Sequence, residues 1–212
     1  FGKGSHERIG KAFLSGLANS PGLAAVSLPA LETALENYPP ELRAQGKSVL
    51  DEAEGKWQEQ RAQLQDLLRH VPTGDIRRGQ AVFNSERAAC ARCHEIGYLG
   101  GNVGPDLTRI GRVRSREDLL ESVVFPNLSF VRSYEPYQII TTDGNQWNGI
   151  IRDDDGRTMT VVTGPGQSVR IDHDAIEQQI RSEVSLMPSG MGELLSREEL
   201  ADLLAFLEAT RW

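Results

Sequence analysis

The run Cys90-Ala91-Arg92-Cys93-His94 constrains this chain more than any other stretch. C-x-x-C-H is the attachment signature of a c-type haem, and one haem c is therefore the first expectation. Residues three and four apart share one side of a helical turn. Cys90 and Cys93 then meet two vinyl groups, while His94 turns its imidazole toward the iron as the proximal ligand. Half a zinc site, a dithiol redox pair and chance are the competing readings. Zinc needs two further Cys or His ligands, whereas the chain has only these two Cys and its other histidines, His6, His70 and His173, are scattered singly. A thioredoxin-like pair heads a βαβ unit, which does not surround this one.

The rest of the composition bounds the function. With 212 residues, 39% hydrophobic and 25% charged, the chain has an ordinary soluble composition and room for one large or two small domains. No apolar run approaches the length that spans a bilayer. A net charge of −7 argues against nucleic acid as a partner. Haem attachment of this type takes place outside the cytoplasm, so a periplasmic or otherwise exported protein is expected, with its export signal upstream of Phe1.

Residues 1–72 read as a helical segment. Ile9, Phe13, Leu14 and Leu17 recur at helical spacing, followed by Leu31 and Leu35. Pro39-Pro40 opens a long polar run to His70, with Leu42, Val49, Ala53, Trp57, Leu64, Leu67 and Leu68 in one stripe. Pro72-Thr73-Gly74-Asp75 breaks the helix and sets the expected domain boundary, with Asp75 as N-cap of a helix from Ile76 to about Asn84.

In residues 73–212, Gly104-Pro105 follows the attachment motif. A proline carbonyl beside the haem is expected to accept the free ring N–H of His94 and fix its orientation, with an ordinary loop turn as the alternative. A thioether is the expected second ligand. Met159 lies in a strand-like stretch, whereas Met187 sits in the irregular loop Ser185-Leu186-Met187-Pro188-Ser189-Gly190 before the last helix, Ser196 to about Ala209. Met191 shares that loop and is the alternative. Gly79 and Phe83 on the first helix are expected to cross the last helix, where Leu200, Leu203, Leu204 and Leu207 form an apolar stripe with Phe206 alongside. Arg109, Arg112, Arg114 and Arg116 form a basic cluster. One or two of them, with Tyr134, Tyr137 or Trp147, are candidates to neutralise the haem propionates; a solvated positive face is the equal alternative.

In this order, the Gly79/Phe83 helix, CARCH, Gly-Pro-Asp-Leu, the Met187-Pro188 loop and the leucine-rich last helix resemble a class I cytochrome c. More narrowly, residues 74–207 are similar to the C-terminal haem-binding domain of large membrane-bound dehydrogenase-like proteins of planctomycete and verrucomicrobial type. The phrases that carry this are CARCHEIG, GGNVGPDLTRIG, SREDLLESVVFPN, YEPYQIITTDG and SLMPSGMGELLSREELADLLAFL. The resemblance implies His94 and Met187 as axial ligands, electron transfer rather than catalysis, and a dehydrogenase as redox partner or as an attached upstream portion. It implies a mainly α fold (α+β): a cytochrome c helical core over residues 73–212 with a small antiparallel β-insertion before the Met loop, preceded by the end of an upstream helical region.

The interval from His94 to Met187 is longer than a compact cytochrome needs. After a helix from Ser115 to about Phe125, the stretches Tyr137–Thr142, Trp147–Arg152, Thr158–Thr163 and Ser168–Asp172 alternate or run β-branched, with Asp-Gly and Gly-Pro-Gly between them. A small antiparallel insertion of three or four strands is expected at about 132–183. Asp153-Asp154-Asp155-Gly156 lacks the later ligands of a calcium loop and reads as a turn. A one-electron carrier is the leading function. A haem enzyme or gas or peroxide sensor with a labile Met ligand, and a haem-stabilised interaction module, are the alternatives.

Overall fold

The computed structural model describes residues 3–19, 23, 32–33, 35–36, 38–182 and 184–211. The chain divides into two compact units, Phe1–Gln63 and Leu64–Trp212. In the first, α1 (Lys3–Ala18) buries Leu14 and packs Leu17, whereas Ile9 and Phe13 are exposed despite their helical spacing. Leu31 lies outside the described residues. The 31-residue α2 (Pro40–His70) starts with a proline, tolerated there because the first helical N–H has no partner to lose. Leu42, Val49 and Ala53 of α2 bury with Leu14, Leu23 and Leu35. Trp57, in the same stripe, is 40% exposed, with the Arg61 guanidinium 5.1 Å from its ring centroid.

The units part at Gln63 and Leu64, within α2, and the expected limit Pro72–Asp75 is the coil that follows this helix. Three helices of the second unit start on capping side chains. The Asp75 carboxylate accepts the Arg78 N–H ahead of α3 (Ile76–Asn84). Full capping boxes, Ser115 with Asp118 and Ser196 with Glu199, open α5 (Arg116–Val124) and α7 (Arg197–Ala209). The short α4 (Ile110–Val113) precedes α5, and α6 (Met191–Leu194) precedes α7. Their apolar faces form one core with Leu64 and Leu67, including Phe83, Leu120, Leu200, Leu203 and Leu204.

The tightest crossing in that core is α3 on α7. A Cβ on Gly79 would stand 1.9 Å from the Asp202 carbonyl oxygen, so only glycine permits this approach. Phe83 and Phe206 fill the adjoining space, ring centroids 5.5 Å apart and tilted by 56°. Asp202 is buried, and its carboxylate accepts from Arg78 Nε at 2.7 Å, Arg78 Nη2 at 2.8 Å and the Asp75 N–H at 2.6 Å.

The sheet corrects the expected fold class. Five strands, β3 (Pro136–Thr141), β4 (Gln146–Asp154), β5 (Thr158–Gly164), β6 (Gln167–Asp172) and β7 (Ile176–Arg181), make one antiparallel sheet in the order β6-β5-β4-β3-β7. A two-stranded ribbon, β1 (Glu95–Ile96) with β2 (Leu99–Gly100), stands apart from it. The fold is therefore α+β, not a mainly α cytochrome core carrying a three- or four-stranded insert. The sheet has its own core, with Ile139, Met159, Val161 and Ile171 buried, so it is a layer in its own right. The fifth strand escaped sequence reading because its central Glu177-Gln178-Gln179 are exposed polar residues on the sheet edge, where alternation with a core is weakest. Among the described residues, no helix is long and apolar enough to cross a membrane.

Candidate functional site

Ala89 takes the left-handed conformation, φ 52°, immediately before the C-x-x-C-H run. A single 3₁₀ turn over Cys90–Arg92 follows, and the His94 N–H bonds the Cys90 carbonyl at 2.9 Å. One turn thus brings Cys90, Cys93 and His94 together. Cys90 is half-buried against the helical core, and desolvation pushes its thiol up to about 11; Cys93 is also raised by burial. A reactive dithiol pair needs the opposite, a thiol depressed toward neutrality by positive charge or a helix N-terminus. Burial shifts both thiols the other way.

The loop after β2 wraps back onto the motif. The N–H of Gly101 bonds the Ala91 carbonyl and that of Gly104 the Cys93 carbonyl, both at 2.8 Å. The Leu107 N–H reaches Glu95 O at 2.8 Å, and the Gly97 N–H reaches Thr108 Oγ1 at 2.7 Å. Glycine is required at two of these points. A Cβ on Gly101 would meet the Arg92 carbonyl at 2.0 Å, and one on Gly104 would meet His94 Cε1 at 2.4 Å. The close approach these glycines permit depends on the folded loop.

His94 Nδ1 lies 2.9 Å from the Pro105 carbonyl oxygen. A carbonyl only accepts, so the proton is on Nδ1 and Nε2 keeps its lone pair. Burial depresses the imidazole pKa and the Pro105 bond opposes that shift in part, so the ring is neutral at neutral pH. A neutral ring with Nδ1 satisfied and Nε2 uncommitted is the protonation state a metal ligand requires.

The three methionines occupy different environments. Met159 is fully buried in the sheet. Met191, first residue of α6, is buried in the helical core. Met187 is half-buried at that core's edge, in a loop whose Ser185 N–H bonds Asn127 Oδ1 at 2.8 Å and whose Met187 N–H bonds Ser185 Oγ at 3.1 Å. Asn127 carries no sequence signal, because its partner is 58 positions away. His173 pairs with Asp154 at 2.7 Å on the sheet.

Among the cationic candidates, Arg116 is paired with Glu208 at 2.7 Å. Arg109 is the N-cap of α4, and Arg112 is exposed in its last turn. Tyr137 and Trp147 pack against the sheet core. Among the described residues, no group of three or more His, Cys, Asp or Glu is placed to hold a metal ion.

No protein-family model matches the chain, and no curated protein matches it.

Proposed function

We propose that this chain holds one haem c through thioethers from Cys90 and Cys93, with His94 and Met187 as axial ligands, and works as a one-electron carrier rather than an enzyme. The observation that carries this reading is the bond from His94 Nδ1 to the Pro105 carbonyl, which leaves Nε2 as a lone-pair donor inside a C-x-x-C-H motif. When bound, the cofactor supplies a ferric/ferrous couple whose potential a thioether ligand raises.

The chain's own residues supply the rest. Pro105 orients the imidazole, Gly104 leaves room for it, and the half-buried thiols offer uncharged sulfur. Met187 supports the sixth position better than Met191 does, because Met191 is already committed to core packing. Arg109 and Arg112 are the candidates for pairing with propionates. The electron source is a dehydrogenase, either attached in the same polypeptide or separate, and maturation takes place after export. The dehydrogenase partner rests on the resemblance to dehydrogenase-linked haem domains, and export on where c-type haem attachment takes place.

A mass measurement together with the ferrous absorption spectrum tests the proposal. The expected result is one haem that stays with the polypeptide through acid-acetone extraction and gives a c-type, low-spin spectrum. A mass equal to that of the bare chain, from a host that matures c-type haem, sinks it.

A further inference from the structure

We infer that Arg152 is a positioning residue for His94, holding from the sheet the loop whose Pro105 carbonyl orients the imidazole. The inference deepens the proposed function and rests on it for the meaning of His94. Strand β4 pairs with β5 as Ile150 with Val162 and Ile151 with Val161, then resumes as Asp153 with Thr160. Arg152 opposes no residue. Such a bulge re-aims the side chain it carries. The Arg152 side chain reaches the loop before Pro105, where its Nη2 donates to the Val103 carbonyl at 3.2 Å and also to the Asn102 carbonyl. The Tyr134 ring lies beneath the guanidinium, 5.5 Å from centroid to Cζ.

The loop is thereby held from two directions. The N–H groups of Gly101 and Gly104 bond the attachment motif, while the carbonyls between them, on Asn102 and Val103, bond Arg152. Val103 already buries its side chain, so the loop stays attached without Arg152. What the guanidinium adds is the orientation of two peptide planes immediately ahead of Gly104-Pro105. Arg152 is exposed, and exposed charge contacts contribute little to global stability, so the effect belongs at His94 rather than in the unfolding midpoint.

The test is hydrogen exchange of the His94 Nδ1 proton, read by NMR in the full chain with haem attached and the iron ferrous. Arg152→Gln is expected to speed that exchange roughly tenfold, as loss of about one net hydrogen bond implies, while amides of Ile139 and Val161 in the sheet keep their protection. Arg152→Lys, which keeps the charge and loses the planar stack on Tyr134, is expected to fall between the two. Tyr134→Ala gives the same readout if Arg152→Gln fails to fold, and a smaller acceleration is expected there. An unchanged ring-proton rate in the variants that fold overturns the inference, as does an equal acceleration at Ile139 and Val161, which marks a general stabiliser. Absence of covalent haem refutes the proposed function alone, because the bond between His94 and Pro105 is made by protein atoms and its proton is read in the same way.

Discussion

The imidazole of His94 donates through Nδ1 to the carbonyl of Pro105 at 2.9 Å, and Gly104 leaves no side chain between the ring and the loop. These facts act together, because a Cβ on Gly104 would lie 2.4 Å from Cε1 and 2.7 Å from Nδ1 of His94. Gly104→Ala therefore forces the ring to rotate or the loop to lift. On the proposed function, the expected outcome is haem still attached through its thioethers and a shifted potential, with a loss of about 1 to 3 kcal/mol of stability from overpacking. Pro105→Ala keeps the carbonyl, so its effect is smaller. Voltammetry and denaturant unfolding check both variants; wild-type behaviour of Gly104→Ala on both measurements contradicts the close contact.

The Arg78–Asp202 pair makes a prediction about acid. Hydrogen bonding from Arg78, with help from the Asp75 N–H, holds the Asp202 carboxyl below its ordinary value near 3.8. A carboxylate depressed in the folded state binds protons more readily when unfolded. Its contribution is complete above the unfolded pKa and is lost as pH falls through the folded one. Asp202→Asn is expected to cost about 2 kcal/mol at pH 7, the scale of hydrogen bonds to a charged group, tempered because Arg78 is largely exposed. The gap between variant and wild type should close below about pH 3.8. Unfolding curves taken across that range decide it, and a gap that is constant with pH removes the ionised pair from the explanation.

Short-range signals made the helices legible. Asp75, Ser115 with Asp118, and Ser196 with Glu199 cap their helices through neighbours three residues away, so α3, α5 and α7 can be read from local spacing. The same locality explains the misreading of the sheet. Four strands alternate in sequence, but β7 pairs with β3 across a long interval and shows little apolar pattern of its own, so the layer looked like a small insert. Within the site, the motif and the Gly-Pro turn are local, and proline's missing N–H singles out its carbonyl. Arg78 and Asp202 are 124 positions apart, and Arg152 reaches its loop across about fifty. Nothing in the spacing of either pair announces the contact.

Gly79 offers a direct test of the α3–α7 crossing. Its added Cβ would meet the Asp202 carbonyl at 1.9 Å and Phe206 Cβ at 2.7 Å, and the first of these is backbone that cannot rotate away. Gly79→Ala should push the helices apart, disturb the Phe83–Phe206 stack and cost about 3 kcal/mol or more, at the upper end of overpacking. Gly55, with open space around its missing Cβ in the middle of α2, is the control: Ala there should stabilise its helix slightly through propensity. If Gly79→Ala unfolds at the wild-type denaturant concentration, the crossing is not as close as described.

Met187 and Met191 lie four positions apart and differ in burial, and the proposed function gives them opposite tasks. Met191 is buried in the helical core, where truncation leaves a cavity worth about 2 to 5 kcal/mol. Met187 is half-buried on a loop tied to Asn127 through Ser185, where truncation costs little packing. A thioether on ferric iron gives a weak far-red charge-transfer band, lost when the sulfur is removed. Met187→Ala is expected to abolish that band, lower the potential and open the ferrous iron to carbon monoxide, with a small change in stability. Met191→Ala is expected to keep the band and lose stability. The pair separates ligand from core filler because each variant is read by absorbance and by unfolding. If the band vanishes only in Met191→Ala, the sixth ligand has been misassigned; if it survives both changes, neither methionine holds that position.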